Sequence, residues 1–259
     1  MSTNVHLVIP DAHAKPDTDL SRADLLAKLI ADVKPTTVID LGDTADMPSL
    51  CSYDKGTKSF HGRSYERDID AHAEFQERIW KPLSRRKKKM PRRIRIIGNH
   101  DYRIWRAIEI QPELEGHRFG VSPRDLDLER YYTDVVEYNG GTPGIINVDG
   151  VHYSHFFVSG VKGLPIGGEH SASSLLTKQF QSCTVGHSHL LDFATKTRAD
   201  GTRMNGLVAG VFQEHFSDFA GESNKLWWKG VVIKRGVEGG MYDPEFVSLE
   251  RLRKVYGDV

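Results

Sequence analysis

"VHLVI" (5–9), "SRADLLAKLIADV" (21–33) and "TTVIDLGD" (36–43) follow one another with little between them. The outer two are short β-branched runs and predict buried strands. The middle run sets Leu25, Leu26, Leu29, Ile30 and Val33 at helical spacing. Strand, helix and strand in that order need a crossover, and a crossover makes the strands parallel. The chain is thereby committed to an α/β architecture. Ser21 is the expected N-cap of the helix, with Asp24 three residues on.

The alternation continues. Residues 64–84 predict a long helix, "RIRII" (93–97) a third strand broken at Gly98, and "YRIWRAIEI" (102–110) a helix capped by Asp101. Residues 111–130 are polar and irregular. From about 145 the texture becomes strand-rich, beginning with two runs around the Asp149-Gly150 turn. "SASSLLTKQF" (171–180) predicts a short helix, and four further strands follow between 181 and 252. No repeat or linker divides the chain, so one domain over 1–259 is expected.

Charge narrows the function little. Lys+Arg and Asp+Glu are 35 each, so net charge points to neither nucleic acid nor a membrane. The start of the chain lacks a basic segment, and no window approaches the ~18 apolar residues of a bilayer span. The two cysteines, Cys51 and Cys183, suit a reducing compartment, with Cys183 a buried core thiol. A cytoplasmic protein is expected. The basic run "RRKKKMPRR" (85–93) reads as a solvated loop before the third strand, remote from the strand ends that matter. A phosphate-tracking patch is the alternative.

Chemistry gathers where the predicted strands end. The first strand delivers Asp11 and His13, the second Asp43, and the third Asn99, His100 and Asp101. Later strands deliver His155, then His187 and His189. In open α/β sheets the carboxyl ends of strands face the ligand crevice, so these segments can converge. Carboxylate, amide oxygen and imidazole without thiolate form a borderline-to-hard donor set suited to Mn, Fe, Zn or Ni. Asp11, His13, Asp43, Asn99, His155, His187 and His189 are donors enough for two ions, and Asp43 can bridge them through its two oxygens. Gly42, Gly98 and Gly186 each precede a proposed ligand, where a missing Cβ permits close approach.

"DAH", "GDTAD", "GNHD", a histidine in "HYSH" and "GHSH", in this order, resemble the calcineurin-like metallophosphoesterase superfamily. The resemblance runs from Asp11 to His189. It implies a four-layer α/β/β/α sandwich of two mixed sheets flanked by helices, with a dinuclear centre at the strand C-termini. It implies one metal on Asp11, His13, Asp43 and His189, and another on Asp43, Asn99, His155 and His187. Manganese is the first expectation, with iron, zinc or nickel as alternatives. His100 is then a general acid rather than a ligand, oriented by Asp101. The implied reaction is attack of metal-activated hydroxide on a phosphodiester.

The substrate class follows less directly. "GDTADMP" lacks the arginine and glycine that follow the second aspartate in the protein Ser/Thr phosphatases of this superfamily. The nearer branches act on phosphodiesters, nucleotides or nucleic acid. A phosphomonoesterase is the alternative, and a non-catalytic scaffold is disfavoured because no motif residue is missing. Arg103 is the expected substrate contact, since a guanidinium forks onto phosphate. Strand alternation puts His152 and His155 on opposite faces, and the family pattern selects His155. Asp46 reads first as a cap of the turn entering "MPSL" and second as an acceptor supporting the site. Trp227 and Trp228 sit in a loop where they either stack on a base or cover a sheet edge.

Overall fold

The computed structural model describes residues 4–86, 89–116 and 120–257. Its elements run β1 (Val5–Ile9), α1 (Arg22–Val33), β2 (Thr37–Asp40), α2 (Tyr65–Ser84), β3 (Arg92–Ile96), α3 (Arg103–Ile110), α4 (Leu128–Tyr131) and β4 (Asp134–Val136). Then come β5 (Ile146–Val148), β6 (Val151–Tyr153), β7 (Val158–Ser159), β8 (Leu164–Pro165), α5 (Ser171–Gln179) and β9 (Cys183–Val185). The last are β10 (Leu191–Thr197), β11 (Arg203–Ala209), β12 (Gly230–Glu238), β13 (Met241–Ser248) and α6 (Leu249–Tyr256).

Two mixed sheets stack face to face. The first has the order β13-β12-β1-β2-β3-β4, the second β10-β11-β9-β6-β5. As the crossover argument required, β1, β2, β3 and β4 are parallel. In the second sheet β9 runs parallel to both β11 and β6. The period-2 alternation of β1 sorts its side chains cleanly. Leu7 and Ile9 join α1, α2 and α6 in one core, whereas Val8 joins Tyr153, Leu207 and Ala209 between the sheets. On the far face of the second sheet, Cys183, Val185 and Val208 pack against Ala172 and Leu175 of α5. The layers are therefore helices, sheet, sheet, helix, an α/β sandwich. Each fully buried Leu or Val in these layers contributes about 1.5–3 kcal/mol relative to exposure.

Local expectations fare unevenly. Asp149 and Gly150 both have positive φ (51° and 85°), the mirror-image turn that matches strand twist. Ser21 does not cap α1 through its side chain, and its hydroxyl donates to Asp19 instead. Asp101 does not cap α3, whose N-cap is Tyr102. Cys51 and Cys183 are both buried and free. Of the basic run, Lys87 and Lys88 lie outside the described residues. Arg92 pairs with Asp134, and Arg93 lies over the Trp80 ring. These arginines begin β3, whereas the proposed ligands follow its end. Among the described residues no helix is long and apolar enough to cross a membrane.

Candidate metal centre

Five strands end at one place. Asp11 and His13 follow β1, Asp43 follows β2, Asn99 follows β3, His155 follows β6, and His187 and His189 follow β9. Backbone hydrogen bonds tie these loops together. His13 N donates to Asp43 O at 2.9 Å, Ala14 N to Thr44 O at 2.7 Å, and Gly186 N to His155 O at 3.1 Å. Arg22, buried at the start of α1, donates to the Ala12 and Phe212 carbonyls at 2.6 Å each and so holds the turn between Asp11 and His13.

All seven expected donors come together. Ligand atoms of Asp11, His13 and His189 lie within 4.8 Å of one another, as do those of Asp43, His155 and His187. The Asn99 Oδ1 is 2.9 Å from His155 Nε2. Asp43 also groups with His13 and His100, so its carboxylate sits between the two halves of the cluster. His155 points into the cluster, whereas His152 pairs with Asn147 on the other side of its strand.

The tautomers are set from behind. Asp46 Oδ1 accepts from His13 Nδ1 at 2.9 Å, and the Leu41 carbonyl accepts from His155 Nδ1 at 3.0 Å. A proton held on each Nδ1 makes Nε2 the atom open to a cation or to a second proton. His13 Nε2 faces His189 Nε2 at 3.2 Å. His155 Nε2 faces Asn99 Oδ1 at 2.9 Å and Asp43 Oδ2 at 3.3 Å. These nitrogen and oxygen atoms converge closely and need a positive charge among them, whether a proton on an imidazole or a cation. A histidine whose outer nitrogen is satisfied by carboxylate or carbonyl is the usual arrangement of a metal ligand.

The charge balance agrees. Asp11 and Asp43 are at most 2% exposed. Burial opposes their ionisation, yet the neighbouring imidazoles outweigh it and lower both pKa values, Asp43 well below the usual range. Those two carboxylates in turn raise His155 to about 9 against its own burial. Burial lowers His13, and burial together with His155 lowers His187 to about 4. Arg95, the buried guanidinium nearby, is already engaged by Asp40 and Asp101 at 2.6 Å each. Among the described residues no arginine or lysine pairs with Asp11 or Asp43; imidazoles of His155 and His189 face them, a setting that would suit a divalent cation.

Backbone strain concentrates at the same place. His13, Asp43, His187 and His189 all have left-handed φ between 44° and 66°. Such residues cost about 1–3 kcal/mol each and persist where surrounding structure enforces them. The glycines have a sharper role than expected. A Cβ on Gly98 would meet Asp43 Oδ1 at 2.2 Å, and one on Gly186 would meet Asp11 Oδ2 at 2.1 Å. The Asp43 and Asp11 carboxylates occupy the space a side chain would take.

Two expectations are corrected. Asp101 does not orient His100. It accepts from the backbone N–H groups of Asp43, Ala45 and Gly98 and pairs with Arg95, because it is fully buried beneath the loops. The residue that orients His100 is Asp46, whose Oδ1 accepts from His100 Nδ1 at 2.8 Å. Asp46 is therefore not a cap. The turn Pro48–Leu50 has Met47 as N-cap and no side-chain cap bond. Opposing burial, the hydrogen bonds from His100 and His13 hold the Asp46 carboxyl well below the usual range.

Arg103 lies beside His100, with one guanidinium nitrogen 3.3 Å from Nε2 and the other donating to the Asp46 carbonyl at 2.8 Å. Burial lowers the His100 pKa, but Asp43 and Asp46 reverse that and raise it. Trp227 meets His189 edge-on at 4.3 Å, at the mouth of a cavity of about 460 Å³ above the cluster. Trp228 packs toward Phe246 and against the inter-sheet core. Arg22, Asp40 and Arg95 were missed as supports. Of these only Arg95 had a signal in the sequence, a charge inside the otherwise apolar strand "RIRII".

No family model and no curated protein sequence matches this chain. Among solved structures it is similar to the nuclease MPE of Pseudomonas putida, with 12% identity, 93% of this chain and 87% of that chain covered, and a TM-score of 0.36.

Proposed function

We propose that this chain is a metal-dependent phosphoesterase of calcineurin-like type, acting as one domain on a phosphodiester of nucleotide or nucleic-acid character. The reading rests on one observation above all. Ligand atoms of Asp11, His13 and His189 lie within 4.8 Å of one another, as do those of Asp43, His155 and His187, with Asn99 Oδ1 2.9 Å from His155 Nε2, all at the ends of five separate strands. That is a ligand geometry.

Asp11, His13, Asp43 and His189 would hold one divalent cation, and Asp43, Asn99, His155 and His187 a second, manganese first among the metals the donors suit. When bound, such a pair supplies a water acidic enough to ionise near neutral pH and a clamp on the phosphate oxygens. The chain's own residues do the rest. His100 protonates the departing oxygen from Nε2, while Asp46 on Nδ1 keeps that nitrogen turned outward. General acid assistance of this kind is worth about 10²–10⁴ in rate. Arg103 sits beside Nε2, where its fork can meet a phosphate oxygen. Asp101 is a positioning residue, since it fixes the backbone of Asp43 and Gly98.

The test is hydrolysis of bis-p-nitrophenyl phosphate and p-nitrophenyl phosphate with added Mn²⁺ and with chelator. Mn²⁺-dependent turnover favouring the diester is expected. Turnover of neither ester, or turnover indifferent to chelation, refutes the proposal.

A further inference from the structure

A second cleft opens beside the cluster. It has a volume of about 330 Å³, within the range of small-ligand sites, and it shares Asn99 and His187 with the cavity over the proposed metal centre. Tyr53, Phe156, Leu114, Lys55, Arg103 and Arg106 line it, and among the described residues no carboxylate does. The Phe156 ring lies 4.8 Å from the His187 ring, so an aromatic wall begins where the ligands end. Tyr53 is 83% exposed, unusual for a large aromatic. Arg103 and Arg106 are one helical turn apart on α3, and Arg106 makes no ion pair among the described residues.

We infer that this cleft is a nucleobase subsite, and that the phosphodiester cleaved at the cluster carries an unpaired base that enters it; this rests on the phosphoesterase reading. The chemistry is complementary on each count. Aromatic and apolar walls take the π-face of a base, and three cations with no anion take the phosphates on either side. Basic grooves with stacking rings are how proteins hold single-stranded nucleic acid without reading its sequence. A base within a duplex has both faces covered by its neighbours and cannot offer one to Tyr53 or Phe156. The same chemistry comes from two sources, a free nucleotide or a single-stranded polynucleotide.

Binding decides the matter independently of turnover. Fluorescence anisotropy of a labelled 12-nucleotide single strand and of the same strand in duplex, both in chelator, is compared for the wild type, Tyr53→Ala, Arg106→Ala and Tyr53→Phe. Tyr53 and Arg106 are exposed, so the fold is expected to survive, and circular dichroism checks it. The single strand should bind more tightly than the duplex. Tyr53→Ala and Arg106→Ala should each weaken it about tenfold, and Tyr53→Phe should keep wild-type affinity. Competition by thymidine 5′-monophosphate at matching affinity assigns the nucleotide source, and much weaker competition assigns the polynucleotide. Duplex binding as tight as single-strand binding, or alanine variants that bind like the wild type, overturns the inference. In a parallel assay the kcat/KM of thymidine 5′-p-nitrophenyl phosphate should fall about tenfold more than that of bis-p-nitrophenyl phosphate on Tyr53→Ala. Absence of turnover on both esters overturns the phosphoesterase reading alone, because the anisotropy still judges the subsite.

Discussion

Asp46→Ala should separate the two tasks that one oxygen performs. Asp46 Oδ1 accepts from His13 Nδ1 at 2.9 Å and from His100 Nδ1 at 2.8 Å. Removing it takes away two hydrogen bonds to a partly buried carboxylate, each worth about 1.5–3 kcal/mol when a charge is involved. On the His13 side the ring loses its tautomer and orientation, and losses of this kind cost about 10–100-fold in metal affinity. On the His100 side the acid loses both its orientation and a carboxylate that raises its pKa, so turnover falls even at saturating metal. The assay is diester hydrolysis titrated with Mn²⁺, read as an apparent metal constant and a limiting kcat. Both should worsen in Asp46→Ala. Asp46→Asn keeps an oxygen for both rings but no charge, and should fall between Ala and wild type. An Asp46→Ala enzyme with the wild-type metal constant and kcat would refute the assignment of either bond to function.

Further outcomes are expected elsewhere. His100→Ala should lower kcat by about 10²–10⁴ while bound metal, measured by elemental analysis, stays at the wild-type level; loss of metal would make His100 a ligand. Gly186→Ala should displace the Asp11 carboxylate, whose oxygen lies 2.1 Å from the new Cβ, and reduce bound metal with less effect on the unfolding midpoint. Arg95→Met leaves Asp40 and Asp101 buried without their shared cation and should cost about 3–5 kcal/mol in urea unfolding. His72 is buried within α2, and burial, with Arg95 nearby, lowers its pKa to about 3 against a backbone hydrogen bond at Leu126. The unfolded chain then binds the extra proton between pH 6.5 and about 3, so stability declines as pH falls through that window. The slope from this one residue is at most about 1.4 kcal/mol per pH unit. His72→Leu should flatten the acid limb of the stability profile, and an unchanged limb would show that His72 is not a source of it.

Much of this protein was legible along the chain because its determinants are local. The strand-helix-strand opening forced parallel pairing, and β1 and β2 do pair in parallel. Each proposed donor stands within a few residues of a strand break, so a linear reading could name Asp11, His13, Asp43, Asn99, His155, His187 and His189 before any contact was known. Strand alternation put His152 and His155 on opposite faces, and the family resemblance chose His155 between them. What local pattern could not carry was the choice of hydrogen-bond partner. Asp101 is adjacent to His100 and was expected to orient it, yet Asp46, 54 residues away, does so. Asp46 also reaches His13 across 33 residues, and Asp101 reaches the Asp43 amide across 58. Arg95 drew no notice in the sequence, and its role appears only where Asp40 and Asp101 close on it from other segments. Periodicity tells which face a side chain takes. The direction of its polar atoms, and what meets them, is settled when separate strand ends are packed against each other.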